Sequence, residues 1–181
     1  YPVIETITAV MTAFIAYRYG FTWLTPAVLV LCWSLLVLTM IDLDHQLLPD
    51  DITLPLLWLG LLVNSFGLIT SLEDAVWGAI AGYGVLWGVY WLFKLLTGKE
   101  GMGYGDFKLL GALGAWMGWQ LLPMIILLSS LVGAVVGISM MAIQGKDKNV
   151  PIPFGPYLAS AGFIALLWNE PIMGLYYSAF L

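Results

Sequence analysis

Pro26-Ala-Val-Leu-Val-Leu-Cys-Trp-Ser-Leu-Leu-Val-Leu-Thr-Met-Ile-Asp-Leu43 is the stretch that decides the fold class. It runs without a charge until Asp42 and is about as long as one helical bilayer span, which takes roughly 20 residues. Further apolar blocks of this kind lie at 4–19, 53–70, 74–96, 107–119, 121–143 and 157–169. The whole chain of 181 residues is 61% hydrophobic and 9% charged, with a mean hydropathy of +0.95. A soluble domain carries roughly 25% charged residues, so a water-exposed surface cannot be built from this composition. The reading is an all-α, polytopic transmembrane helical bundle of about seven spans (six to eight), forming a single integral-membrane domain over 1–181. The blocks at 107–119 and 157–169 are short for spans and are expected either to be buried within the bundle or to thin the bilayer locally. The apolar tail 170–181 is a candidate partial eighth helix.

Alternating the spans sorts the connections into two sets. One holds 44–52, 97–106 and 144–156; the other holds 20–25, 71–73 and a turn near Gln120. Lys94, Lys99, Lys108, Lys146 and Lys148 border the first set, and only Arg18 lies towards the second. Basic residues concentrate on the cytoplasmic side, so the first set is assigned to the cytoplasm. Trp23, Tyr90, Trp91, Trp119 and Trp168 fall near span ends, where amphipathic rings anchor at the lipid–water boundary. Glycines recur four apart at Gly78/Gly82, Gly84/Gly88, Gly114/Gly118 and Gly133/Gly137, a spacing that lets helix backbones approach in lipid.

Acidic residues in a span are costly, by roughly 2.5–3.5 kcal/mol or more at the centre. Most acids here sit in loops. Asp74 is expected to be a helix N-cap, and Asp50 and Asp51 to cap the third span. Asp42 and Asp106 differ. Asp42 ends an unbroken apolar run, and Asp106 follows Gly101-Met-Gly103-Tyr104-Gly105 directly before Phe107-Lys108-Leu109-Leu110. They come from separate helices at the same membrane edge. Two carboxylates brought together share one proton, so one acts as base towards water while the other polarises a scissile carbonyl. The helix dipoles assign the base to Asp106, at a helix N-terminus, and the acid to Asp42, near a C-terminus; the pair titrates jointly. Gly101, Gly103 and Gly105 permit positive φ and close approach of a substrate backbone.

Asp44 is two residues from Asp42 and so points away from it on a helix. His45 is read as a solvated loop histidine. Asp42-Leu-Asp44-His45-Gln46-Leu47 lacks the glycine of a calcium loop. A single cysteine, Cys32, excludes an intrachain disulfide and a four-cysteine metal site. No Gly-x-Ser-x-Gly or His-Glu-x-x-His pattern is present. A proton-coupled membrane transporter using its intramembrane carboxylates is the alternative class, and a non-catalytic subunit of a secretion machine is a third. Carriers place their ionisable site near mid-membrane, whereas both acids here lie at one edge, and no inverted repeat is visible.

Asp42-x-Asp44-x-x-x-Leu48-Pro49-Asp50-x-Ile52-Thr53-Leu54-Pro55, with Gly103-Tyr104-Gly105-Asp106 at a separation of 64 positions between the two aspartates, resembles the type IV prepilin peptidases. Tyr1-Pro2-Val3-Ile4-Glu5 and Ile152-Pro153-Phe154-Gly155-Pro156-Tyr157-Leu158-Ala159 extend the resemblance over the chain. A bare Gly-x-Gly-Asp also occurs in presenilin-like proteases; the other stretches do not. The resemblance implies cleavage of a basic leader from type IV prepilins and type II secretion pseudopilins, after a glycine, at the cytoplasmic face of a bacterial inner membrane. It places the catalytic pair on Asp42 and Asp106, with Asp44, Asp50, Gly103, Tyr104, Gly105 and Lys108 as substrate-binding or supporting residues. The acidic mouth would attract a basic leader, and the lipid bilayer is the remaining partner; no nucleic acid and no metal is expected. Bacterial members often also methylate the new N-terminus with S-adenosylmethionine, an activity associated with an N-terminal region carrying zinc-binding Cys-x-x-Cys pairs. The chain opens at Tyr1 without those pairs, so it is expected to be the peptidase portion of a longer protein or a natural short form. S-adenosylmethionine and zinc are implied only if that region is present.

Overall fold

A computed structural model describes residues 2–98, 102–144 and 153–168. Seven α-helices appear among them: α1 (Pro2–Tyr19), α2 (Leu24–His45), α3 (Asp50–Ser65), α4 (Leu72–Thr97), α5 (Tyr104–Met117), α6 (Leu122–Gln144) and α7 (Gly155–Leu167), with a 3-10 turn at Trp119–Leu121 before α6. They match the seven apolar blocks. No strand occurs among the described residues. Leu24–His45, Leu72–Thr97 and Trp119–Met140 are long and apolar enough to cross a bilayer. The protein is a polytopic helical membrane protein. The third block ends earlier than its hydropathy suggests: α3 stops at Ser65 and a turn with Gly67 at positive φ carries the chain to α4. The proposed helix over 170–181 lies outside the described residues.

The short α5 is the centre of the bundle. Its 14 residues span roughly 21 Å at 1.5 Å each, less than the hydrocarbon thickness of roughly 30 Å. Every residue from Leu109 to Met117 is buried, so α5 is enclosed by protein; α3, α4 and α7 pack on it. The α4–α5 contact rests on small residues. Gly78 and Gly114 meet face to face, each where a Cβ on the other would collide with its carbonyl. One turn along, a Cβ on Gly82 would lie 2.5 Å from the Leu110 carbonyl oxygen. Without side chains the backbones come into van der Waals contact, which is how helices associate in lipid. The Gly84/Gly88 pair does not take part: both face open space. Gly118 terminates α5 at φ +84, a conformation glycine adopts without steric cost.

Asn64, 1% exposed, fastens the end away from Asp42. Its Nδ2 donates to the Ala115 and Trp116 carbonyls, both at 2.9 Å. Its Oδ1 accepts from the Ile69 and Thr70 amides at 3.2 and 3.0 Å. One side chain therefore satisfies the C-terminal carbonyls of α5 and the turn after α3. Asn64→Ala orphans two buried carbonyls and two part-buried amides; a buried polar group costs about 1–3 kcal/mol unpaired, although membrane hydrogen bonds average nearer about 0.6 kcal/mol. We expect a loss of about 2–4 kcal/mol, read as a lower unfolding midpoint in detergent. Asn64→Asp keeps the acceptor but turns an oxygen towards the Ala115 and Trp116 carbonyls, so it should recover little of the loss.

The expected caps are corrected. Ser71, not Asp74, caps α4: its hydroxyl accepts from the Asp74 amide at 3.0 Å and donates to the Asp74 carboxylate at 2.8 Å. Asp74 is the N3 partner of this reciprocal arrangement, and the Trp119 indole donates to it at 2.9 Å. Pro49 precedes α3 without a side-chain cap, and Asp50 and Asp51 fill the first turn, where the helix dipole favours acids. Tyr90 is buried in the core and is no interfacial anchor, whereas Trp23, Trp91, Trp119 and Trp168 are exposed.

Candidate active site

Helix α2 buries Val28, Leu31, Cys32, Leu35, Leu38 and Asp42. These recur at three- and four-residue intervals, so they form one stripe facing the bundle. Asp42 is the last member of that stripe and is 5% exposed. Asp44 falls off it and is exposed, as is His45. Past Asp42 the helix closes with Gln46 in the left-handed region (φ 55), its amide bonded to the Asp42 carbonyl. That turn folds Leu48 inward, 7% exposed.

Asp106 occupies the first turn of α5 and is 6% exposed. The start of α5 is fixed from two sides. On one, Tyr104 and Phe107 pack against Tyr90 of α4, with ring centroids 5.3 and 5.6 Å away. Lys94 donates to the Tyr90 hydroxyl at 3.2 Å. On the other, Leu48 sits against Gly105 so closely that a Cβ there would lie 2.7 Å from the Leu48 Cβ. Gly105 is thus required by close approach of the Leu48 segment. Positive φ has no part: Gly103 is extended at φ −80, and neither it nor Gly105 is among the positive-φ glycines. Gly101 lies outside the described residues.

The third wall is the N-terminus of α7. The Gly155 amide donates to Asp42 Oδ2 at 2.9 Å, across 113 positions of sequence. A Cβ on Gly155 would fall 2.7 Å from that oxygen and 3.1 Å from Leu48 Cδ2. Leu48 therefore touches both the residue before Asp106 and the residue bonded to Asp42. Through Leu48, which lies against Gly105, and Gly155, which bonds Asp42, the two acids are brought to the same corner of the bundle. Asp106 Oδ2 lies beside Gly103, 3.9 Å from where a Cβ on that residue would stand. With α7 offering its N-terminus to Asp42, the dipole argument no longer favours Asp106 over Asp42 as the base.

Lys108 and Asp50 are joined directly, Nζ lying 2.6 and 2.7 Å from the two carboxylate oxygens. The pair ties the start of α3 to α5 beside Asp106. It is partly exposed, so its worth in stability is at most about 1 kcal/mol. The arrangement gathers Asp42, Leu48, Asp50, Tyr104, Gly105, Asp106, Lys108 and Gly155 at one end of the bundle and leaves Asp44 outside. Gly155 and Leu48 were not singled out as site residues from sequence. The signal available was a glycine at a helix start followed by a proline, which carries no pointer to a distant carboxylate. No group of three or more His, Cys, Asp or Glu side chains suited to a metal occurs among the described residues. Cys32 is buried within α2, so a thiolate zinc set does not fit this chain.

Two buried acids on separate helices at one end of a membrane bundle, one of them bonded by a backbone amide, suit water activation. Comparison with known sequences identifies the lineage. The profile of the type IV leader peptidase family matches residues 29–138. This chain belongs to that family. The matched region of this leader peptidase family member includes Asp42, Leu48, Asp50 and Gly103 to Lys108. A protein of Stutzerimonas stutzeri described as prepilin leader peptidase/N-methyltransferase is 61% identical over 97% of this chain and 61% of its own length. Proteins of the same description match from Pseudomonas aeruginosa (60% identical, over 97% of this chain and 61% of the relative) and Legionella pneumophila (46%, with the same coverage of each). The chain thus spans about three fifths of the length of these relatives. No solved structure matches it.

Proposed function

We propose that this chain is a membrane-embedded aspartic endopeptidase that removes the basic leader from type IV prepilins and type II secretion pseudopilins. What supports the proposal is that Asp42 and Asp106, both buried and from different helices, lie at one end of the bundle, linked through Gly155, Leu48 and Gly105. Membership of the leader peptidase family supports the substrate class, and displaces the transporter reading.

The pair carries one proton between its two carboxyl groups. The ionised member takes a proton from water as the oxygen adds to the scissile carbonyl carbon, and the protonated member donates a hydrogen bond to the carbonyl oxygen. Collapse of the tetrahedral adduct breaks the C–N bond, and a proton passes to the leaving amine. The leader departs with a new carboxylate and the mature subunit with a new N-terminus. The excess of lysines near this end supports a cytoplasmic orientation, and family membership supports a bacterial inner membrane as the setting. Exposed Asp44 and Asp51 lie at this end, where they attract a basic leader. Methyl transfer is not assigned to these residues, since the relatives bearing that description extend well beyond the matched length.

The test is to incubate the purified chain with a prepilin in detergent or liposomes and to read the products by mass spectrometry. A single cut directly after a glycine, between the basic leader and the apolar segment, is the expected result. An unprocessed prepilin, with the chain folded and the substrate inserted, would refute the proposal.

A further inference from the structure

The amide donors at the start of α7 are unevenly committed. Phe154, the N-cap, offers no side-chain acceptor. Pro156 has no N–H. The amides of Tyr157 and Leu158 both bond the Phe154 carbonyl, at 3.1 Å. Gly155 keeps a donor that no described residue near it in sequence satisfies, and a helix N-terminus needs such donors satisfied. Asp42, brought in from α2, takes it at 2.9 Å.

The acceptor is one of the two acids assigned to the chemistry, and glycine is the one residue with room at that point. The Cβ of any other residue would lie 2.7 Å from the bonded oxygen and 3.1 Å from Leu48. Leu48 is itself wedged against Gly105, next to Asp106. Displacement at residue 155 therefore reaches both acids, one directly and one through Leu48.

We propose that Gly155 is a positioning residue: its amide holds the Asp42 carboxylate in place, and its missing side chain leaves space for both Asp42 and Leu48, the latter lying against Gly105 next to Asp106. The first helical turn of α7 is thus a third part of the active site, besides the two aspartate-bearing helices. This inference rests on the peptidase reading above.

The test is steady-state cleavage of a prepilin by the full chain carrying Gly155→Ala. A misplacement of about 1 Å can cost on the order of 100-fold in rate. We expect kcat to fall by about 10- to 100-fold, with KM within about twofold of the parent value. Gly162→Ala is the control. It lies on the same helix and its Cβ would also intrude, 2.7 Å from Leu113 Cδ2, but against a side chain remote from the acids; kcat should be retained. A folded Gly155→Ala protein with parental kcat would overturn the inference, as would a rise in KM alone. Should Gly155→Ala fail to fold, glycine-15N labelling of the parent chain decides: the Gly155 amide resonance should shift on Asp42→Ala, and an unmoved resonance overturns the inference. The peptidase reading has its own readout. Full activity in Asp106→Asn would defeat that reading, whereas loss there with full activity in Gly155→Ala defeats only the positioning role.

Discussion

Asp42→Asn and Asp106→Asn should each lower kcat/KM for prepilin cleavage by at least about 1,000-fold, and the double variant should be little worse than either one. General acid–base catalysis alone contributes typically 100- to 10,000-fold. Groups that act as a unit are non-additive, because removing either member disables both steps. Asn is close in shape to Asp and keeps an acceptor for the Gly155 amide, so the loss reports chemistry and not collapse. Asp44→Asn is the internal comparison. It lies two residues away, is exposed, and should reduce activity far less, chiefly through binding of the basic leader. The measurement is initial cleavage rate with matched folded protein, and retained activity in either dyad variant removes that residue from the mechanism.

The second large effect concerns the α4–α5 seam. Gly114→Val should abolish recovery of folded protein, and Gly78→Val should do the same. Overpacking a core costs typically about 1–3 kcal/mol and occasionally more, when neighbours give way. Here the obstacle is the facing backbone carbonyl, which cannot rotate aside, so the helices must separate. Separation moves α5, and with it Asp106. Gly84→Ala and Gly88→Ala lie on the same α4 helix, facing open space. They should be neutral or stabilising by about 0.5–1 kcal/mol, since Ala outranks Gly in a helix interior. Monodisperse yield and unfolding midpoint in detergent measure both pairs. Equal tolerance of Gly114→Val and Gly84→Ala would contradict the seam.

Hydropathy alone located all seven helices, because each is an apolar block set off by polar or turn residues, although among the described residues only three are long and apolar enough to cross a bilayer. The two acids were also legible, since a carboxylate ending an uninterrupted apolar run is costly without a use. Contacts between distant segments were not. The Gly-x-x-x-Gly spacing was the same at Gly78/Gly82, which packs, and at Gly84/Gly88, which does not. The facing helix decides between them, and only tertiary structure supplies it. Asn64 lies inside the apolar block 53–70 and nothing around it in sequence points to its partners on α5. Asp74 had the composition of a cap, yet Ser71 took that role because the helix began three residues earlier. The dipole argument weighed each acid against its own helix. It missed that α7, 113 positions from Asp42, points its N-terminus at that residue.

The central claim is that Asp42 and Asp106 address one reacting centre. An experimental structure of the chain with a prepilin-like peptide, carrying a hydroxyl-bearing tetrahedral mimic at the scissile position, tests it most directly. The account predicts the mimic's hydroxyl within hydrogen-bond distance of both carboxyl groups, with the Gly155 amide still on Asp42. A mimic bound at only one of the two aspartates, or at neither, would contradict it.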